Sequence, residues 1–234
     1  MKCRIAQLNI EINNRFDYLA GSLKPYLCDF DKADITVSAS DADLAAERES
    51  LDESFSDGYV ESIAVCRKIC HRLPEFSGYM LHSATFSLEG HGIGFLAKSG
   101  TGKSTHMLLW KQLFGDSLRV INGDKPFIRL EEGIPWAYGT PWCGKEGLNL
   151  NDRVALTDLC FIRRSGENKT VPISPEKAVS YLLEQVIIPE GSANIIKVLD
   201  MLDATVKNCR LWEIYCNTDI SAAEVSAGTI LEVK

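Results

Sequence analysis

The sequence predicts an α/β fold: a mixed β-sheet flanked by helices, with a small α/β layer in front. Three observations carry that expectation. Short apolar, β-rich runs alternate with stretches of helical period along most of the chain. A glycine-rich loop at residues 97–104 sits between a buried-strand run and a helical run. The 234 residues are enough for one large domain carrying a small appendage.

Taken in order, Leu8, Ile10 and Ile12 alternate with Gln7, Asn9 and Glu11, an opening strand with one buried face. Residues 16–30 and 33–37 read as a short helix and then a strand. Residues 41–57 are acidic and polar, which fits a solvated helix or loop better than a surface for a basic partner. Val60, Ile63, Val65, Cys66, Ile69 and Cys70 recur at helical period, and Pro74 ends that helix.

From Tyr79 the character changes. Residues 80–88 are apolar and β-rich, 89–92 make a turn, 93–96 form a short buried strand and 105–114 a helix. Strand-like pieces follow at 118–121, 127–130, 135–138 and 156–162. Ser174 and Pro175 start a helix over 176–186, residues 193–206 form another, and 211–216 a strand. Ser221 with Glu224 three residues on is a capping box for the last helix. The expected division is an N-terminal layer at 1–75 and a larger domain at 76–234.

Composition narrows the function classes. At 45% hydrophobic and 24% charged the chain is an ordinary globular protein, and its net charge of −7 argues against a nucleic-acid partner. There is no long apolar run and no signal peptide, so the expectation is a cytoplasmic protein with no membrane partner. The eight cysteines include no CxxC pair. Cys66 and Cys70, one helical turn apart, read as small apolar residues of a buried stripe rather than as metal ligands.

The loop Ala97-Lys98-Ser99-Gly100-Thr101-Gly102-Lys103-Ser104 is a relaxed P-loop, or Walker A, pattern with Ala97 where the usual first Gly stands. Gly100 and Gly102 let successive backbone N–H groups converge on an anion, and the following helix adds its N-terminal partial charge. A nucleoside triphosphate would lie on Ser99, Gly100, Thr101, Gly102, Lys103, Ser104 and Thr105, with Lys103 on the β and γ phosphates and the Ser104 hydroxyl on Mg²⁺. Asp124 stands where a strand ends. Three readings stay open for it: Mg²⁺ ligand, base accepting a hydroxyl proton, or ordinary turn residue.

Several fragments together resemble the HPr kinase/phosphorylase and its relative, the ATP-dependent phosphoenolpyruvate carboxykinase. They are Leu81-His82-Ser83-Ala84, the stretch from Ile93 through Ser104, and Ile121-Asn122-Gly123-Asp124. Tyr138-Gly139-Thr140-Pro141-Trp142-Cys143-Gly144-Lys145 resembles a motif of the broader group of HPr kinase-like proteins. The resemblance runs from about Met80 to Lys145 and is absent from the first 75 residues. It implies a P-loop nucleotide-binding fold with a mixed sheet, and places His82 near the phosphates or metal. On the residues alone, His82 is a core histidine of an apolar strand. The family's two adjacent aspartates become Gly123-Asp124 here, so one carboxylate is missing.

The function this implies is an ATP- and Mg²⁺-dependent phosphotransferase acting on a hydroxyl, with Lys103, Asp124 and His82 as its catalytic group and Ser104 and Asp124 as its metal ligands. Gly139, Thr140, Trp142 and Lys145 would hold the acceptor, a serine of a peptide or small protein. Trp136 and Trp142 read equally as a wall for a peptide and as core. Arg163-Arg164 is either a charge-stabilising pair or a solvated one. His91 and His106 are expected in a turn and on a helix surface. The alternatives are a kinase of a hydroxy-amino acid or sugar, and a non-catalytic ATP-dependent binding module. A homo-oligomer is compatible with each.

Overall fold

The computed structural model describes residues 1–232. The chain opens with a hairpin, β1 (Lys2–Ile5) against β2 (Leu8–Ile12), closed through Ala6 and Gln7 in the left-handed region at φ 51° and 60°. Leu8, Ile10 and Ile12 are buried, as their alternation requires. After α1 (Tyr18–Leu23), β3 (Ile35–Val37) pairs parallel with β2 to complete a three-stranded sheet.

The acidic stretch forms α2 (Asp41–Arg48), opened by a reciprocal capping box between Ser40 and Asp43. Its carboxylates turn largely onto α3 (Asp57–Arg72): Asp43 meets Lys68 at 2.8 Å, and Glu47 pairs with Arg67. α3 buries Val65, Cys66, Ile69 and Cys70 against the small sheet, so the cysteine pair belongs to a buried apolar stripe. Burial pushes the Cys70 thiol well above its ordinary range, as expected of an inert core cysteine.

A nine-stranded sheet follows. The apolar run at 80–88 divides at Leu81 and His82 into β4 (Gly78–Met80) and β5 (Ser83–Leu88). Then come β6 (His91–Leu96), α4 (Lys103–Phe114), β7 (Arg119–Asn122), β8 (Phe127–Glu131) and β9 (Ile134–Tyr138). The twelve-residue β10 (Arg153–Arg164) precedes β11 (Lys169–Pro172), α5 (Pro175–Leu183), α6 (Ser192–Asn208), β12 (Arg210–Cys216) and α7 (Ile220–Glu232).

β10 organises the sheet. Its first residues pair antiparallel with β9, and the rest lies parallel to β6 on one side and β12 on the other. The sheet therefore curls around β10, running β4-β8-β9-β10-β6-β5-β7, with β12 and β11 off its far half. The alternation of β10 is two-sided: Cys160 and Ile162 pack under α4 and α7, while Leu159 and Phe161 pack under α5 and α6. The small sheet and α3 share a third cluster with Met80, Phe127, Tyr138 and Trp142, so the front layer is packed onto the large sheet. Among the described residues, no helix is long and apolar enough to cross a membrane.

Two local expectations change. α7 begins at Ile220, so Ser221 lies inside the helix, and its hydroxyl accepts from Asn168 Nδ2 at 3.1 Å instead of capping. β11 has no counterpart in the sequence pattern, because its four residues sit at an edge and are exposed or half-buried.

Candidate functional site

β6, β10 and β12 run parallel and end at Leu96, Arg164 and Cys216, so their carboxyl ends lie along one edge. Ligand crevices of open α/β sheets form at such edges. The chain leaves β6 there, turns through residues 97–102 and enters α4 at Lys103. Gly100 and Gly102 have φ of +75° and +124°, a backbone that side-chain-bearing residues rarely adopt. No atom lies within 4 Å of where a Cβ would stand on either one, so the space above the loop is open.

Gly102 is the N-cap of α4, and no side chain caps the helix. The first-turn amides of most helices are covered by a Ser, Thr or Asp oxygen; here they are left for another acceptor. From the end of β10, Arg164 donates to the carbonyl of Thr101 at 3.0 Å and to that of Gly100, bracing the loop. A cleft of about 500 Å³ opens beside it, lined by Gly100, Gly102, Thr105, Arg164, Asn217 and Thr218.

On the inner side, three expected residues meet. Lys103 is buried. Its Nζ lies 2.8 Å from His82 Nε2 and donates to the Ala97 carbonyl at 3.3 Å. His82 Nε2 is also 3.1 Å from Asp124 Oδ1. One ring nitrogen serves only one of these partners at a time: unprotonated it accepts from Lys103, protonated it donates to Asp124. Lys125, which the sequence reading passed over, closes the group by donating to Asp124 Oδ2.

Backbone hydrogen bonds place these side chains. The His82 amide donates to the Gln185 carbonyl at 2.8 Å, and the Ser83 amide to that of Asp124 at 3.0 Å, tying the start of β5 to the end of β7. Buried Asn122 accepts from the amides of Asp124 and Lys125 at 2.9 and 2.7 Å, an Asx turn that aims both side chains. Burial opposes the charge on Asp124, but the His82 hydrogen bond and Lys125 outweigh it and hold the carboxyl well below its usual range. Burial lowers Lys103 from its ordinary value, with Asp124 and Glu146 only partly opposing. Burial also opposes the charge on Lys125, yet the adjacent Asp124 keeps it raised.

Position 123 has little room for a side chain. A Cβ on Gly123 would stand 2.8 Å from the Cys143 carbonyl oxygen and 3.4 Å from that of Leu148, which already accepts from the Gly123 amide at 2.9 Å. The loop after Trp142 fills the place a side chain would take. It then crosses Asp124 at Gly144, which has φ +80°. A Cβ there would be 3.1 Å from Asp124 Cβ and 3.4 Å from Glu146 Oε2, so a second carboxylate borders the group from this loop. Glu146 was not a sequence candidate. Its only signal was an acid between two glycines, and nothing local says where such a loop folds.

The residues expected to hold an acceptor divide. Gly139, Thr140 and Trp142 are buried. The Thr140 hydroxyl donates to the Lys125 carbonyl at 2.8 Å, and Asn122 Nδ2 donates to Thr140 O and Oγ1. Trp142 stacks on Phe127 and donates to Ser62 on α3 at 3.1 Å, so it is core and no exposed wall. Lys145 is exposed and forms no hydrogen bond or ion pair among the described residues. Ser99 and Thr105 are exposed and Ser104 half-buried, on and beside the loop.

His106 faces inward, against expectation. It contacts Ser226 on α7 at 3.0 Å and the Phe95 ring, and burial pushes it down to about 4. Of the two arginines only Arg164 reaches the loop; Arg163 pairs with Glu213 at 3.2 Å and stacks over Tyr181.

No protein-family model matches the sequence. No curated protein matches it either. Among solved structures the chain is similar to the HPr(Ser) kinase/phosphatase from Coxiella burnetii, with a TM-score of 0.30 and 11% identity over 52% of this chain and 93% of that one. The likeness is a distant structural one.

Proposed function

We propose that this chain is an ATP- and Mg²⁺-dependent kinase that transfers the γ-phosphoryl group to a hydroxyl. The observation that supports it best is the junction of Lys103, His82 and Asp124 beneath an open glycine loop whose helix has no side-chain cap. The free amides and the Lys103 ammonium suit the polyanionic end of a triphosphate. A phosphate drawing Lys103 away from His82 leaves the histidine to donate to Asp124, so the carboxylate stays ionised and fixed as the charge moves.

The chemistry of Ser104 and Asp124, both hard oxygen donors, suits magnesium. Among the described residues no group of three His, Cys, Asp or Glu could hold a metal by itself. Mg²⁺ bound with a nucleotide takes only one or two protein oxygens, which Ser104 and Asp124 would supply, and it neutralises phosphate charge. The acceptor class we favour is a serine hydroxyl on a peptide or small protein. A small hydroxy compound is the second reading, favoured by the burial of Trp142, which removes the aromatic wall a peptide would use.

Labelled ATP incubated with serine peptides and, separately, free L-serine tests both. Transfer by the parent, lost in Lys103→Ala, is the expected result. Asp124→Asn should lose transfer with ATP affinity kept within about tenfold. Tight ATP binding with no transfer or hydrolysis would leave a binding module instead.

A further inference from the structure

Phosphoryl transfer to a hydroxyl needs a group to orient that hydroxyl and take its proton. Asp124 is poorly suited. Both its oxygens are engaged, by His82 at 3.1 Å and by Lys125. A side chain at position 123 would press on the Cys143 carbonyl, 2.8 Å from its Cβ.

The loop that excludes one carries another. Between Gly144 and Gly147, both in the left-handed region, Glu146 holds an exposed carboxylate with no hydrogen bond or ion pair among the described residues. The point where a Gly144 side chain would begin is 3.4 Å from Glu146 Oε2 and 3.6 Å from Asp124 Cγ.

We infer that Glu146 orients the acceptor hydroxyl and receives its proton, a carboxylate that the loop carries beside Asp124. This rests on the kinase reading. The acceptor oxygen bonds to the γ-phosphorus. The bond from that phosphorus to the β–γ bridging oxygen breaks, and its electron pair leaves with the nucleoside diphosphate. The acceptor proton passes to Glu146 and from there to solvent.

The test uses the whole chain, with water as the simplest acceptor: phosphate release from MgATP, beside titration with a fluorescent ATP analogue. Glu146→Gln should lower kcat by about 100-fold, with analogue affinity within about threefold and an unchanged melting temperature. Sodium formate should restore part of the rate to Glu146→Ala, and none to Lys103→Ala. A purely structural role would not respond to formate. Glu146→Gln working at the parental rate overturns the assignment, as does Glu146→Ala without formate recovery or a loss of affinity equal to the loss of rate. If the parent binds and turns over ATP, any of those results sinks this inference alone. A parent that does neither sinks the kinase reading, and this one with it.

Discussion

The resemblance to a two-aspartate family invites the substitution Gly123→Asp, and the structure argues that it will harm the protein rather than complete it. The backbone at 123 lies outside the left-handed region, so the obstacle is space alone. The atoms in the way are carbonyl oxygens, Cys143 at 2.8 Å and Leu148 at 3.4 Å, not the yielding end of a side chain. The segment behind them is pinned: the Gly123 amide donates to Leu148 O at 2.9 Å, Leu150 N to Ile121 O at 3.0 Å, and Asn149 Nδ2 to Thr140 O at 2.8 Å. Forcing a Cβ into such a contact costs about 1–3 kcal/mol. For a chain of this length that lowers the melting temperature by about 2–12 °C.

Gly123→Ala isolates this steric part, and Gly123→Asp adds a second charge beside Asp124, so Asp should be the worse of the two. Thermal unfolding followed by circular dichroism reads both, with phosphate release from MgATP measured alongside. Neither variant should gain activity, since the displaced loop carries Glu146 away. A Gly123→Ala protein melting within about 1 °C of the parent would refute the steric account. A Gly123→Asp protein that turns over faster would refute the account of the missing acid.

Three further outcomes are expected. Trp142→Phe removes the donor to Ser62 and should cost about 1–2 kcal/mol of stability in urea unfolding while leaving acceptor KM unchanged; the reverse pattern would return Trp142 to the acceptor surface. His106 is held near 4, below its ordinary 6.5, so the fold keeps it neutral. Its stabilisation is complete above pH 6.5 and is lost as pH falls toward 4, by about 2–3 kcal/mol at pH 4.5. His106→Gln should therefore lose less stability than the parent between pH 7.5 and 4.5 in urea titrations, and equal losses would contradict its buried neutral state. Arg164→Ala frees the loop carbonyls of Gly100 and Thr101, exposed bonds worth about 0.5–1 kcal/mol. Nucleotide affinity measured by titration should fall about two- to fivefold.

What the sequence made legible was local. The loop could be read because strand, glycines, lysine and helix are contiguous, and β2 and α3 because their apolar period is unbroken. What escaped was tertiary. His106 looked solvated because its partner Ser226 lies 120 residues away on α7. Trp142 was undecided because Ser62 and Phe127 come to it from two other elements. Ser221 and Glu224 had the right spacing for a cap, but Asn168 takes the hydroxyl. Glu146 and Lys125 became site residues only when the loop after Trp142 closed over Gly123 and an Asx turn aimed Lys125 at Asp124.

The same contacts reach into the front layer. Buried Tyr26 accepts from Asn149 Nδ2 at 2.9 Å, and Asn149 also donates to the Thr140 carbonyl. Thr140 joins Asn122 and the Lys125 carbonyl, and Asn122 holds the amides that present Asp124. Trp142, in the same loop, is anchored on α3 of the front layer. A largely buried hydrogen-bonded network of this kind is stiff, and each buried member left without its partner costs free energy. The N-terminal layer, outside the family resemblance, therefore grips the segment that both supports Asp124 and carries Glu146. The position of both carboxylates relative to Lys103 depends on residues from the first third of the chain as much as on the glycine loop itself.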